Sequence, residues 1–194
     1  MDNTPAAPER PAKKKQTPIS AAYDYLEIFV YSAVAVILLF TFFTRLTSVV
    51  GPSMQDTLYE GQKLLVSDIG YDPTPGDIIV YHELGDYNEP IVKRVIATEG
   101  QVVDIDFTTW TLTVDGEVVD EPYRKVDSSF LLTSDQSYPV TVPENCLFVM
   151  GDNRNHSSDS RSTRMGQNGF IDERQVLGRV VLRLTPFDLF GAVE

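Results

Sequence analysis

One segment departs from the pattern of the rest of the chain. From residue 28 to residue 44 the sequence reads IFVYSAVAVILLFTFFT, with no charged side chain between Glu27 and Arg45. Counted from Tyr25 to Thr44, the run spans twenty residues, about 30 Å as a helix at ~1.5 Å per residue. That length matches the hydrocarbon core of a bilayer. A helix is the structure that satisfies its own backbone there in a single pass. Two other elements compete for such a run. A cleaved signal peptide carries a shorter apolar stretch, about 7–15 residues, followed by small residues at a cut site. Here the stretch is longer and RLTSVV follows, with no small-x-small site. A helix in a soluble core is rarely apolar on every face. The pattern therefore predicts an uncleaved transmembrane anchor over 25–45.

On either side of the anchor the pattern changes. Residues 1–20 hold Pro5, Pro8, Pro11 and Pro18 and almost nothing large and apolar, so 1–24 reads as a disordered tail. Arg10, Lys13, Lys14 and Lys15 precede the run, whereas Arg45 and then Lys63 follow it. This bias predicts a single pass in the cell membrane, with the N-terminus cytoplasmic and the C-terminal body extracytoplasmic. Residues 46–194 read mostly as β. Short runs rich in apolar and β-branched residues fall at 63–67, 77–81, 91–97, 101–107, 110–114, 117–119, 147–150 and 178–184. Asp115-Gly116 between two of them is a two-residue hairpin signal. Short helices are expected at most around 53–58 or 172–176. The expected fold is mainly β: an antiparallel body, sandwich- or barrel-like, with a smaller β lobe inserted over 102–145.

Composition narrows the function classes. The chain has 194 residues, 16 Lys+Arg against 28 Asp+Glu, and a net charge of −12. Nucleic-acid binding needs clustered cations, so it is not expected. One cysteine, Cys146, excludes an internal disulfide and a thiolate metal cluster; it starts an apolar strand and reads as a core filler. Two histidines, His82 and His156, leave little for a histidine-based metal site. Trp110 reads as packing in the hairpin. No dinucleotide, P-loop, HExxH or EF-hand pattern occurs, and neither cofactor nor metal is expected. A hydrolase, a small-molecule binder or an anchored interaction domain remains.

Three features carry candidate chemistry. Residues 151–161 read GDNRNHSSDSR directly after the apolar CLFVM; such a block is either a solvated loop or a hydrogen-bonded wall in which Asp159 and Arg161 pair. Lys93 and Arg94 lie within IVKRVIA. On a strand they point to opposite faces, so one of the two cations is expected inside. A buried lysine relieves its cost by losing its proton; the alternative is an exposed edge. Ser53, in VVGPSMQDTL, follows a Gly51-Pro52 turn and either caps a short helix or acts as a nucleophile. It lies nine residues past Thr44, no more than about 30 Å from the end of the anchor even when fully extended.

Taken in order, these blocks resemble type I signal peptidases, most closely the short bacterial form with one N-terminal anchor. The anchor is followed by GPSMQDTL, similar to the family's nucleophile box; PGDIIVY at 75–81 resembles its structural strand; and KRVIATEG at 93–100 resembles its lysine box. GDNRNHSSDSR at 151–161 resembles its most distinctive block, and GFIDERQVLGRV at 169–180 its closing strand. The resemblance implies a serine endopeptidase that removes signal peptides from exported preproteins. It implies Ser53 as nucleophile, neutral Lys93 as general base, Ser157 aiming the lysine, and Asp159 paired with Arg161 to hold the loop. It implies small residues, typically alanine, one and three positions before the cut, held in shallow pockets. A serine–lysine pair is a variant of triad logic. Lowering the lysine pKa to roughly 8–8.5 makes about a tenth of it neutral near pH 7.4, at a stability cost near ~3 kcal/mol.

The chain also departs from the family. Asp56 stands where the first box often has Pro, and Glu99-Gly100 where the lysine box often ends Pro-Gly. Gly51 stands where some members place a serine that helps form the oxyanion hole, which leaves backbone donors to serve. No second anchor and no large insertion are expected. Three other readings stand beside the peptidase: a triad using His82 or His156; a serine–lysine self-cleaving regulator, which the anchor and the acidic balance oppose; and a non-enzymatic anchored β domain.

Overall fold

The computed structural model describes residues 18–84, 89–127 and 134–193. The chain divides into an N-terminal helical unit and a β unit from Phe43 onward.

The helix α1 runs Pro18–Phe43, 26 residues, or about 39 Å. None of its 21–38 stretch is buried, and among the described residues it is the one helix long and apolar enough to cross a membrane. The helix begins earlier than the pattern predicts, so residues 18–24 are helical rather than tail. Pro18 fits the first helical turn, where its missing N–H costs nothing, and Ala21-Ala22 favour helix. The remainder of the expected tail, 1–17, lies outside the described residues. The helix also stops two residues short of the expected boundary, because the chain turns directly into a strand that pairs.

The β unit contains β1 (Thr44–Ser48), β2 (Lys63–Ser67), β3 (Ile78–His82), β4 (Pro90–Ala97), β5 (Val102–Asp106), β6 (Thr111–Val114), β7 (Glu117–Val118), β8 (Val140–Thr141), β9 (Cys146–Met150), β10 (Ile171–Asp172), β11 (Val176–Arg183) and β12 (Gly191–Ala192). Eight of them form one sheet in the order β1-β2-β11-β3-β4-β9-β10, with β12 on β11; the other four form a small sheet in the order β7-β6-β5-β8. Every ladder between named strands is antiparallel. The small sheet falls within the lobe expected at 102–145. Asp115 and Gly116 both take positive φ, 52° and 83°, which a two-residue turn of this hand requires; Val114 pairs with Glu117 across it.

The core falls into three clusters. One, which joins the two sheets, contains Ile105, Leu112, Cys146, Phe148 and Phe170, and edge-to-face contacts chain Trp110, Phe107, Tyr138, Phe148 and Phe170 together. Cys146 is thus a core residue. The other two clusters line the large sheet, around Leu64, Val80 and Val180, and around Ile79, Val95 and Leu147.

Strand β4 sits between β3 and β9, and everything from Val92 to Ala97 is buried. This corrects the expectation of one interior cation. Lys93 and Arg94 are each 3% exposed. They point to opposite faces, as alternation requires, but neighbouring segments cover both faces of a central strand.

Candidate active site

The segment 49–58 is pinned by its apolar residues. Val49, Met54 and Leu58 are buried, and Leu58 N–H donates to Met54 O at 2.7 Å while Gln55 N–H donates to Pro52 O at 3.1 Å. These bonds make a turn and not the expected short helix. Ser53 sits half-buried between the anchors. Its Oγ does not cap a backbone N–H; it receives a hydrogen bond from Lys93 Nζ at 2.9 Å. The Ser53 N–H has no acceptor among the described residues, and Gly51 has no side chain to supply a further donor.

Lys93 reaches this point from the middle of β4. Its Nζ also donates to Val92 O at 3.1 Å. Burial strips water from the ammonium and lowers its pKa to about 8, partly opposed by Asp159 and Asp152 and aided by Arg161. The 2.9 Å contact that the ammonium makes as a donor becomes, once its proton is lost, one through which the amine can accept the Ser53 hydroxyl proton.

The 151–161 block forms a wall beside this pair. Arg161 grips Asp159 with two hydrogen bonds of 2.8 Å, and Gly151 N–H donates to Asp159 Oδ2 at 3.0 Å. Burial alone would raise the Asp159 pKa, but the guanidinium and the N–H outweigh it and hold the carboxyl below its usual range. Ser157 Oγ is sealed from solvent; it lies beside Asp159 and helps to lower that carboxyl's pKa, and it makes no bond to Lys93. It packs against Gly151, where an added Cβ would lie 2.3 Å from Ser157 Oγ and 2.5 Å from Ser53 O. Gly151 is therefore needed for the wall to approach the serine.

A second network, scarcely visible in the sequence, holds the site together. Arg94 clasps Asp152 through Nε and Nη2, both at 2.9 Å, and donates to Gly76 O at 2.8 Å, while its guanidinium stacks 3.8 Å from the centre of the Tyr123 ring. Thr57 Oγ1 donates to Asp152 Oδ2 at 2.5 Å. Asn153 N–H donates to Ser53 O at 3.0 Å and Asn153 Nδ2 to Pro52 O at 3.1 Å. The lysine strand, the serine turn and the polar block thus meet at Asp152 and Asn153. Arg154, also buried, pairs with the buried Glu121 side chain. The one signal available in the sequence was the density of polar residues after CLFVM.

A groove of about 270 Å³ opens over Ser53 and Lys93, lined mainly by Val50, Gly51, Pro52, Ile91 and Val92. His156 also lines it but is exposed; His82 does not line it. The hydrogen bond on Ser53 Oγ comes from the lysine. Among the described residues no group of three or more His, Cys, Asp or Glu side chains is placed to hold a metal ion.

Comparison with known proteins decides the family. Residues 22–185 match the family described as signal peptidase, peptidase S26. The chain belongs to that family. Signal peptidase I of Bacillus caldolyticus is 37% identical over 153 residues, covering 73% of this chain and 79% of that relative. Signal peptidase IB of Staphylococcus aureus is 32% identical over 186 residues, covering 86% and 93%. A probable signal peptidase I of Synechocystis is 30% identical over 191 residues, covering 91% of each chain. The present signal peptidase is a serine endopeptidase by family, and its helix α1 falls mostly within the matched span.

Proposed function

We propose that this protein removes N-terminal signal peptides from exported preproteins, with Ser53 as nucleophile and neutral Lys93 as general base, and with α1 as a single-pass anchor whose N-terminus is cytoplasmic. The observation that carries this reading is the buried 2.9 Å contact between Lys93 Nζ and Ser53 Oγ. Ser53 Oγ attacks the scissile carbonyl carbon while Lys93 takes its proton. The tetrahedral oxyanion accepts from the free Ser53 N–H. Lys93 then gives the proton to the leaving amine, and the C–N bond breaks. Water, deprotonated by Lys93, then attacks the acyl carbon; the C–Oγ bond breaks and Lys93 returns the proton to Ser53 Oγ. With a pKa of about 8, about a fifth of the lysine is neutral at pH 7.4, against about one in a thousand when unshifted.

Asp159 and Arg161, buried and mutually neutralised, hold the wall against which Ser157 packs. The shallow, largely apolar groove fits short side chains and an extended substrate. The test is cleavage of a preprotein in detergent or liposomes. Wild type should cut, Ser53→Ala and Lys93→Ala should be silent, and replacement of both His82 and His156 by Gln should keep activity. A Lys93→Ala variant of near-normal rate defeats the mechanism.

A further inference from the structure

The serine turn is fixed from the inside by Met54 and Leu58, both buried, and by Thr57 on Asp152. Residue 56, between these anchors, faces outward and has no apolar hold. It is also where the sequence departs from its resemblance. Asp56 Oδ1 accepts from Lys125 Nζ at 2.7 Å and from Tyr59 Oη at 3.3 Å. Lys125 belongs to the segment 121–127, which connects the small lobe to the site. That segment is stitched to the polar block at several points. Lys125 N–H donates to Asp152 O and Arg154 N–H to Lys125 O, both at 2.9 Å. Asp127 and Asn155 exchange two further bonds, at 2.6 and 3.1 Å, and Glu121 holds Arg154.

A ring of contacts therefore closes around the serine. It runs from the turn through Thr57 to Asp152, from Asp152 to the Lys125 backbone, and from Lys125 Nζ back to Asp56. Every link but the last is a short-range hydrogen bond of the fold. The last is an ion pair between two largely exposed side chains, which salt weakens.

We propose that Asp56 and Lys125 form a positioning pair: an electrostatic clasp that ties the outer face of the serine turn to the 121–127 segment and so sets Ser53 Oγ against Lys93 Nζ. This rests on the reading of Ser53 as nucleophile. Neither residue lines the groove over Ser53 and Lys93, and neither contacts the reacting atoms. The clasp acts by raising the fraction of molecules in which the turn is seated, so its loss lowers kcat and leaves KM unchanged. An exposed pair is weak, so the loss is modest, about two- to fivefold.

The test uses the full chain in detergent with a signal-peptide substrate, at about 0.05 M and about 1 M salt, where the screening length falls from above 10 Å to about 3 Å. Asp56→Asn and Lys125→Gln should each lower kcat about two- to fivefold at low salt with KM unchanged. The difference from wild type should shrink at high salt. Asp56→Lys should be worse, and adding Lys125→Asp to it should recover kcat to within about twofold of wild type. Melting temperatures should stay close to wild type throughout. Single variants that match wild type at low salt, or a charge swap no better than Asp56→Lys alone, overturn the clasp. Ser53→Ala is run in parallel. If it still cleaves, the nucleophile reading fails; if it is silent while Asp56→Asn is unaffected, only the clasp fails.

Discussion

At position 93 an amine is held where water does not reach it, and this has two consequences of opposite sign. The folded pKa, about 8, lies below the ordinary 10.5. Below pH 8 both folded and unfolded chains carry the proton, so burial of the charge costs its full amount, about 3 kcal/mol. Between pH 8 and 10.5 the folded chain sheds its proton first, and the cost shrinks to nothing above that window. With Lys93 as the proposed base, activity follows the neutral form, so kcat/KM should rise about tenfold per pH unit in acid and level off near pH 8. A pH profile of kcat/KM checks this; a profile flat down to pH 6 would show that the lysine is not the base. The sequence made position 93 a candidate because a cation on a β-branched strand is unusual. It did not foretell that Arg94 is buried too. Arg94's partner Asp152 lies 58 residues away, and no local pattern marks a charge that is neutralised at long range. Ser157 shows the same limit: the resemblance gives it a role, while the fold gives it a packing position against Gly151.

Among the elements, periodicity located those with enough residues to repeat, and the two-residue β7 was found through the Asp115-Gly116 turn beside it, not by alternation. Strands β2 to β7, β9 and β11 fall within one or two residues of the runs read from the pattern, and the Asp115-Gly116 turn announces its hairpin. The strands β8, β10 and β12 have two residues each, too few for alternation to register, and β1 was hidden at the end of the apolar run. Sheet order was not legible, because it places β11 between β2 and β3, and only tertiary pairing decides that. The central position of β4 has an energetic consequence. Arg94→Met leaves Asp152 as a buried carboxylate without its guanidinium, which should cost roughly 3–5 kcal/mol, or a melting point lower by roughly 10 °C. Adding Asp152→Leu removes the orphaned charge and should restore much of the loss, although Thr57 then loses its acceptor. Thermal denaturation of the two single variants, Arg94→Met and Asp152→Leu, and of the double variant checks this. A double variant at least as unstable as the sum of the singles would mean that the pair is not what stabilises this layer.

At the level of the whole molecule, the three core clusters draw only on residues from Val49 onward, and the contacts of the chain separate the helix from the β unit. A body with its own core folds on its own. Residues 44–194 should therefore melt cooperatively within a few degrees of the full chain and cleave a short soluble peptide at a comparable kcat/KM. The anchor contributes something else. On the proposed reading it confines enzyme and membrane-inserted preprotein to the same surface, which raises the concentration each experiences of the other without any new contact. On a preprotein embedded in liposomes, the truncated enzyme should thus be slower by one to several orders of magnitude, with the deficit appearing in KM rather than in kcat. The comparison must use both substrates, because each outcome addresses a different role. Equal rates on the embedded preprotein would deny the helix its function as an anchor. A truncated chain that fails to fold would show instead that α1 completes the structure of the β unit, and the division into two independent parts would be wrong.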